Sequence, residues 1–260
     1  MRAISLQSGS NGNCIYVETS GARFLVDAGL SMRETVRRLA LVGRTLSDID
    51  ALLLTHEHTD HSLSVGGISS RYGIPVYVTA ATEEALACRG LGAGIASARR
   101  FSPGDCLDFG SVRVETVPTP HDSVDGCAFV IEEGGLRLGI LTDLGHVFDG
   151  LGTVVRSLDA VFLESNYDPG MLVQGKYPAF LKKRITGPGG HISNEESAGL
   201  VAAAGRVFSW VCLAHLSGEN NTPDAAVEAH RQIAGPRQDI RVAPRDRIGE
   251  LLEVVKANRF

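Results

Sequence analysis

The sequence predicts an α/β fold, with strands and helices mixed along one chain. Three observations predict it. Short apolar or alternating runs bounded by Gly, Asn and Ser recur along the chain, as buried and half-buried strands do. Stretches with helix-capping signals lie among them. The apolar runs also end, one after another, in a metal-capable or acidic side chain: Asp27, His56 with His58, His121, Asp143 and His215, with Glu164 as a sixth. Strand ends that converge on one place are how a rigid scaffold holds a site.

In chain order, residues 3–7 (AISLQ), 14–18 (CIYVE) and 22–29 (ARFLVDAG) read as strands separated by turns. Ser31 and Glu34 have capping-box spacing and open a helix over 32–42, which Gly43 can close. Residues 51–55 (ALLLT) form a strand that delivers a histidine-rich turn, and a helix over 62–72 follows, ending at Gly73. Residues 75–79 (PVYVT) are another strand, and 113–121 run extended into His121. Residues 127–143 read as a hairpin turning at Gly134-Gly135 and ending at Asp143; 159–165 (DAVFLES) are a buried strand reaching Glu164. Ser193, with Glu196 three residues on, caps a helix over 194–205. Residues 209–215 (SWVCLAH) end at His215, and Thr222-Pro223 opens the last helix, 223–235.

Bulk properties exclude several classes. At 43% hydrophobic the chain can bury a large core, and no linker-like tract divides it, so residues 1–260 are expected to form a single domain. A net charge of −5 provides no global basic field for nucleic acid or membrane. The N-terminus lacks the apolar core of a signal peptide and no run is long enough to span a bilayer. The five cysteines (Cys14, Cys88, Cys106, Cys127, Cys212) are odd in number and never in CxxC spacing. They read as reduced core residues of a cytoplasmic protein.

The stretch LLLTHEHTDHS at 52–62 carries the chemistry. A greasy run stops in three histidines and two acids, where a turn would ordinarily use Gly, Asn or Ser. His56 and His58, two apart on an extended segment, point to the same side. Asp60 and His61 fall on the following turn. Imidazole and carboxylate suit Zn²⁺ and similar divalent ions, and one tetrahedral ion could not use all four groups without crowding, so two metals are expected.

Asp27, the HxHxDH block, His121, Asp143 and His215 together resemble, in order, the five motifs of the metallo-β-lactamase fold. The resemblance implies a four-layer αββα sandwich with a two-metal site at one edge of its sheets. On this resemblance His56, His58 and His121 would hold one metal, and Asp60, His61 and His215 the other. Asp143 would bridge them, and Asp27 would orient the histidine loop from behind. Residues 8–14 (SGSNGNC), 164–168 (ESNYD), 175–197 and 213–223 are similar to the bacterial WalJ/VicX (YycJ-like) subfamily, regarded as DNA exonucleases. Glu164, His191 and His215 also sit where β-CASP nucleases carry their later motifs. Only 47 residues separate Asp143 from His191, too few for the β-CASP cap domain.

The fold hosts several chemistries, so the substrate must be argued from the site. Two divalent ions, two aspartates and a bridging hydroxide leave about one positive charge, which suits a phosphodiester anion. The expected activity is therefore metal-dependent phosphodiester hydrolysis, on DNA ahead of RNA, as an exonuclease working 5′ to 3′. Asp60 would serve catalysis through the metal, with His191 as proton donor to the leaving oxygen and Glu164 tethering it. His191 as an orienting loop residue and Glu164 as a buried structural acid stand beside those roles. Zn²⁺ suits the His-rich set best and Mn²⁺ is an alternative. Ser10, Asn11, Gly12 and Asn13 could offer backbone N–H groups to a phosphate, or form an ordinary hairpin turn. Lys182, Lys183 and Arg184 could meet a nucleic-acid backbone, or form a solvated helix face. Ser217, Asn220 and Asn221 could line the pocket; His146 and His230 read as surface residues. A homodimer is compatible with the chain, and no membrane partner is expected. Two other functions compete: a small-molecule hydrolase (cyclic-nucleotide phosphodiesterase, thioesterase or lactonase), which would share nearly all the ligands, and a non-catalytic metal-stabilised regulator, which would be expected to lose some.

Overall fold

A computed structural model describes residues 1–259. The first half runs β1 (Arg2–Gln7), β2 (Cys14–Glu18), β3 (Arg23–Val26), α1 (Met32–Ala40), β4 (Ala51–Leu53), α2 (Thr59–Ser62), α3 (Val65–Tyr72), β5 (Val76–Thr79), α4 (Ala80–Cys88) and β6 (Ala98–Phe101). The second runs β7 (Cys106–Phe109), β8 (Val112–Pro118), β9 (Cys127–Glu133), β10 (Leu136–Leu141), α5 (Leu151–Ser157), β11 (Ala160–Glu164), α6 (Pro169–Gln174), α7 (Ala179–Ile185) and α8 (Asn194–Ala203). The remainder is β12 (Arg206–Val207), β13 (Trp210–Ala214), α9 (Pro223–Ala234), β14 (Ile240–Val242), β15 (Leu252–Glu253) and β16 (Asn258–Arg259).

Two seven-stranded sheets result, ordered β15-β1-β2-β3-β4-β5-β6 and β14-β13-β11-β10-β9-β8-β7. Alternation along the strands sorts their side chains into layers. Phe24 and Val26 of β3, Phe129 and Ile131 of β9, and Phe162 of β11 meet between the sheets. Leu25 and Leu52 face outward under α1 and α3, together with Leu39 and Ile68. Val130, Val161 and Leu163 face the other way, against Val155 of α5, Val201 of α8 and Ala226 of α9. The architecture is the four-layer αββα sandwich that the motifs imply.

The capping signals read from sequence form as local physics dictates. Ser193 and Glu196 make a reciprocal capping box, and Thr222 accepts from Ala225 N with Pro223 in the first turn. Ser31 accepts from Glu34 N, but the Glu34 carboxylate turns to Arg37 at 2.9 Å and does not reach back to the cap. The helix expected over 62–72 starts three residues later, as α3 from Val65 to Tyr72 with Gly73 closing it, and Ser62 instead ends α2, a separate turn holding Asp60 and His61. The cysteine expectation needs one correction. Cys14, Cys127 and Cys212 are buried, whereas Cys88 is exposed at the end of α4 and Cys106 is only half-buried in β7. Among the described residues, no helix is long and apolar enough to cross a membrane.

Candidate metal centre

The histidine motif is fixed from behind by Asp27 and Thr55. Asp27 sits at the end of β3 with φ 65°, a left-handed conformation uncommon outside glycine. Its Oδ1 accepts from Thr55 N at 2.9 Å and Thr55 Oγ1 at 2.9 Å, and its Oδ2 lies 2.7 Å from His61 Nδ1. Because the Thr55 hydroxyl spends its proton on Asp27, its oxygen accepts from His56 Nδ1, 2.9 Å away. That fixes His56 with its proton on Nδ1 and its Nε2 lone pair turned into the site. The α2 turn is clamped by Asn13 N to Asp60 O at 2.7 Å and Ala28 N to His61 O at 2.7 Å. Gly29 makes this approach possible, since a Cβ there would lie 1.7 Å from Asp60 O.

The second sheet supplies the facing half. His121 Nδ1 donates to Gly190 O at 3.0 Å, leaving Nε2 for the site. Asp143 and His215, at the ends of β10 and β13, repeat the left-handed geometry of Asp27 with φ 55° and 56°. Asp143 lies centrally: Oδ2 is 3.2 Å from His61 Nε2, and Oδ1 is 3.7 Å from His121 Nε2 and 3.6 Å from His215 Nε2. Asp60 Oδ2 is 3.6 Å from both His61 Nε2 and His215 Nε2. The donor atoms fall into overlapping groups: His56, His58 and His121; His56, His61 and Asp143; Asp60, His61 and His215; and Asp143, Glu164, His191 and His215.

Burial and charge act on these groups in opposite directions. Burial, helped by the neighbouring His61, pushes His56 well below the ordinary histidine range, leaving the neutral ring a metal requires. Burial also lowers His58. Burial opposes charge on Asp143 too, but His215, His61 and His121 outweigh it and hold the carboxylate well below its usual range. At His61 burial is outweighed by Asp143 and Asp27, which raise it well above the ordinary value.

Glu164 and His191 form a pair beside this cluster. Glu164 is fully buried at the end of β11; its Oε1 is 2.6 Å from His191 Nδ1, while Oε2 accepts from Leu144 N at 2.9 Å. The carboxylate thus ties the backbone just after Asp143 to the loop that carries His191. The His191 ring lies 5.2 Å from that of His215 and 5.1 Å from that of His121. Burial works against its charge, but Glu164 and then Asp143 prevail and raise it above the ordinary histidine value.

The remaining sequence-predicted positions divide. Ser10 and Asn11 are exposed, but Gly12 and Asn13 are buried. Gly9 N, Gly12 N and Asn13 N are already bonded within the protein, so these three donors are turned inward. Asn13 clamps the α2 turn through Asp60 O, and its Nδ2 also lies 2.9 Å from His61 Nε2, the nitrogen that faces the cluster. Asn220 is fully buried and Asn221 nearly so, and Asn221 lines, with Ser217 and Asn11, a cavity of about 470 Å³. Asn221 bonds to the backbone of Ser165 and Asn166. Ser217 is half-buried and caps its own turn, accepting from Asn220 N at 3.2 Å. Lys182 bonds to Val173 O at 2.7 Å, and Lys183 is exposed. Arg184 donates to Asp122 from Nε at 2.6 Å and Nη2 at 3.1 Å. His146, half-buried, reaches Pro188 O at 2.7 Å. His230, expected at the surface, is fully buried between α8 and α9, because its Nδ1 turns back to Ala226 O and its Nε2 meets Ser197 Oγ.

Sequence reasoning missed three supporting residues. Thr55 relays Asp27 to His56. Asn166 Nδ2 donates to His215 O at 2.8 Å and lies 3.1 Å from His215 Nδ1. Asp122 Oδ1 lies 3.3 Å from His121 Nε2 and 3.9 Å from His58 Nε2. Asp122 follows His121 directly, and an acid beside a ligand histidine was the available signal.

Residues 8–164 match the family described as the metallo-beta-lactamase superfamily. The chain is 36% identical over 224 residues to the exodeoxyribonuclease WalJ of Streptococcus pneumoniae (serotype 2, strain D39), covering 85% of this chain and 83% of that one. It is 35% identical over 233 residues to the exodeoxyribonuclease YycJ of Bacillus anthracis, covering 88% and 87%. Among solved structures, the metallo-beta-lactamase fold protein YhfI of Bacillus subtilis superposes with a TM-score of 0.73 at 18% identity, over 95% of this chain and 98% of that one.

Proposed function

The chain belongs to the metallo-beta-lactamase superfamily, within its WalJ/YycJ group, and from that premise we propose that it is a DNA exonuclease with a dinuclear metal site, digesting from 5′ to 3′. The observation that carries this reading is the likeness, over more than four fifths of the chain, to two proteins named exodeoxyribonucleases. The reading takes residues 1–260 as one domain without a β-CASP cap, since only α5, β11, α6 and α7 lie between Asp143 and His191.

The donor set fits divalent ions. His56 Nε2, His215 Nε2 and Asp143 Oδ2 are buried and have no hydrogen-bond partner among the described residues. Buried polar atoms left unpaired are costly, and cations satisfy all three at once. In our reading His56, His58 and His121 would hold one ion, Asp60, His61 and His215 would hold the other, and Asp143 is placed to serve both. The histidine-rich set suits Zn²⁺ first, with Mn²⁺ also compatible. Ions bound there supply Lewis acidity, neutralising charge that develops on a phosphoryl group and making water nucleophilic near neutral pH.

The protein's own residues do the rest. Asp27, Thr55 and Asn166 hold the ligand rings from their Nδ1 sides so that the site-facing nitrogens converge, and Asn13 clamps the backbone of Asp60. His191, kept protonated by Glu164, donates a proton to the departing sugar oxygen from Nε2. Glu164 touches His191 and the backbone after Asp143, so it positions the acid. The test is the product ladder from 5′-labelled and 3′-labelled single- and double-stranded DNA with each divalent ion. Mononucleotide release that begins at the 5′ end is the expected result. No nucleotide release with any ion, together with turnover of an ester or lactone, overturns the reading.

A further inference from the structure

Residues 169–190 stand out from the rest of the molecule in charge. They carry Lys176, Lys182, Lys183 and Arg184 and no carboxylate, in a chain whose net charge is −5. They also carry the two most exposed large apolar side chains among the described residues, Phe180 and Val173, each 75% exposed. Only the inner faces of α6 and α7 are used for packing, through Tyr167, Leu172 and Ile185. An aromatic ring left in water beside cations is not accounted for by the fold.

Its position relates it to the metal centre. A shallow cavity of about 390 Å³ is lined by Phe180, Lys183, Arg184, Asp122 and residues 187–189. Asp122 is the link: one side of its carboxylate holds Arg184 at 2.6 Å, and the other lies 3.3 Å from His121 Nε2. The cavity therefore begins where the donor cluster ends. Its volume suits one nucleotide, at the lower end of small-ligand sites. Exposed aromatic faces beside a basic track are how proteins hold unpaired strands, since every base has a face to stack and every phosphate a charge to meet. A paired duplex keeps its bases stacked internally and offers Phe180 no free face.

We propose that the outer face of α7 is a stacking platform for single-stranded DNA next to the scissile phosphate, with one base on Phe180 and the flanking phosphates on Lys183 and Arg184. This rests on the nuclease reading above and adds to it a preference for an unpaired or frayed end. Arg184 would exchange part of its contact with Asp122 for the strand.

The experiment measures binding. A dye-labelled oligothymidylate of about twelve nucleotides, with phosphorothioate linkages to slow cleavage, is titrated into the metal-loaded protein and followed by anisotropy. Phe180→Ala should weaken binding by roughly 5- to 100-fold, and Phe180→Trp should keep it. Lys183→Ala should flatten the dependence of log affinity on log salt by about 0.7. The Phe180→Ala loss should be larger on the single strand than on a blunt duplex. Equal loss in the Ala and Trp variants overturns the stacking role. Unchanged binding in Phe180→Ala by a protein that still degrades DNA overturns the platform and leaves the nuclease reading intact. A wild-type protein that neither holds nor degrades DNA overturns both. A drop in the mass of the free protein on Phe180→Ala, with oligonucleotide affinity kept, would assign the face to a second copy and overturn the proposal.

Discussion

Three residues at strand ends, Asp27, Asp143 and His215, adopt a backbone that costs free energy in any side chain but glycine. Each is a donor or the orienting acid behind one, so the strain is retained where it aims a ligand. Substitution should separate ligands from the proton donor. His215→Ala or His61→Ala should lower bound metal from about two ions to about one by elemental analysis, with DNA and nitrophenyl phosphodiester turnover lost together. One tightly held ion in the wild type would overturn the shared role of Asp143. His191→Ala should keep the metal and lose roughly 10²–10⁴ in DNA cleavage, with a smaller loss on a nitrophenyl phosphodiester, whose leaving group departs without a proton. Equal loss on both substrates, with metal retained, would make His191 a positioning residue. The clustered side chains were legible in the sequence because most close an apolar run and Asp60 and His61 fall in the HxHxDH block beside one. Thr55, Asn166 and Asp122 were not, because a polar residue at a strand end or in a turn has the same appearance whether it supports a ligand or only the backbone.

At the scale of elements, capped helices and alternating strands were readable, as Ser193, Thr222 and the β9–β10 hairpin illustrate. The short α5, α6 and α7, and the polar strands β6 and β7, were left unassigned, because four- to seven-residue elements hold too few periods for a pattern. His230 was misread because its helix is polar, while its own ring serves the α8–α9 contact. Burial lowers it from the ordinary 6.5 to about 4. The unfolded chain therefore binds a proton that the native state refuses, and stability falls as pH drops from about 6.5 towards 4. Between pH 7 and pH 5 this amounts to about 2 kcal/mol. His230→Gln, which keeps a polar side chain but cannot titrate, should show a pH dependence of its urea midpoint shallower by that amount. Parallel wild-type and variant curves would overturn the assignment.

For the whole molecule, the metal joins two sheets that already share a core of Phe24, Phe129, Phe162 and Trp210. Chelation should accordingly lower the melting temperature without unfolding the protein at ambient temperature. An ion held at a hundredfold excess over its dissociation constant stabilises by about 2.7 kcal/mol, or roughly 5–10 °C for a chain of this size. Complete loss of structure on chelation, seen by circular dichroism, would show that the sandwich needs its ions to fold. The layer order itself was legible only through the motifs, since nothing in the periodicity of β3 or β11 says which sheet they join.

The Ser8 hydroxyl accepts from His215 N at 2.8 Å across 207 positions of sequence, and β1 lies between β2 and β15. During synthesis this separation acts as a timer. A growing chain has its histidine block early, yet His215 and the strand that closes against β1 emerge last. No nascent or prematurely released fragment ending before His215 carries the full donor set. The donor cluster is thus completed only after β13 has left the ribosome and His215 N has met the Ser8 hydroxyl near the start of the chain.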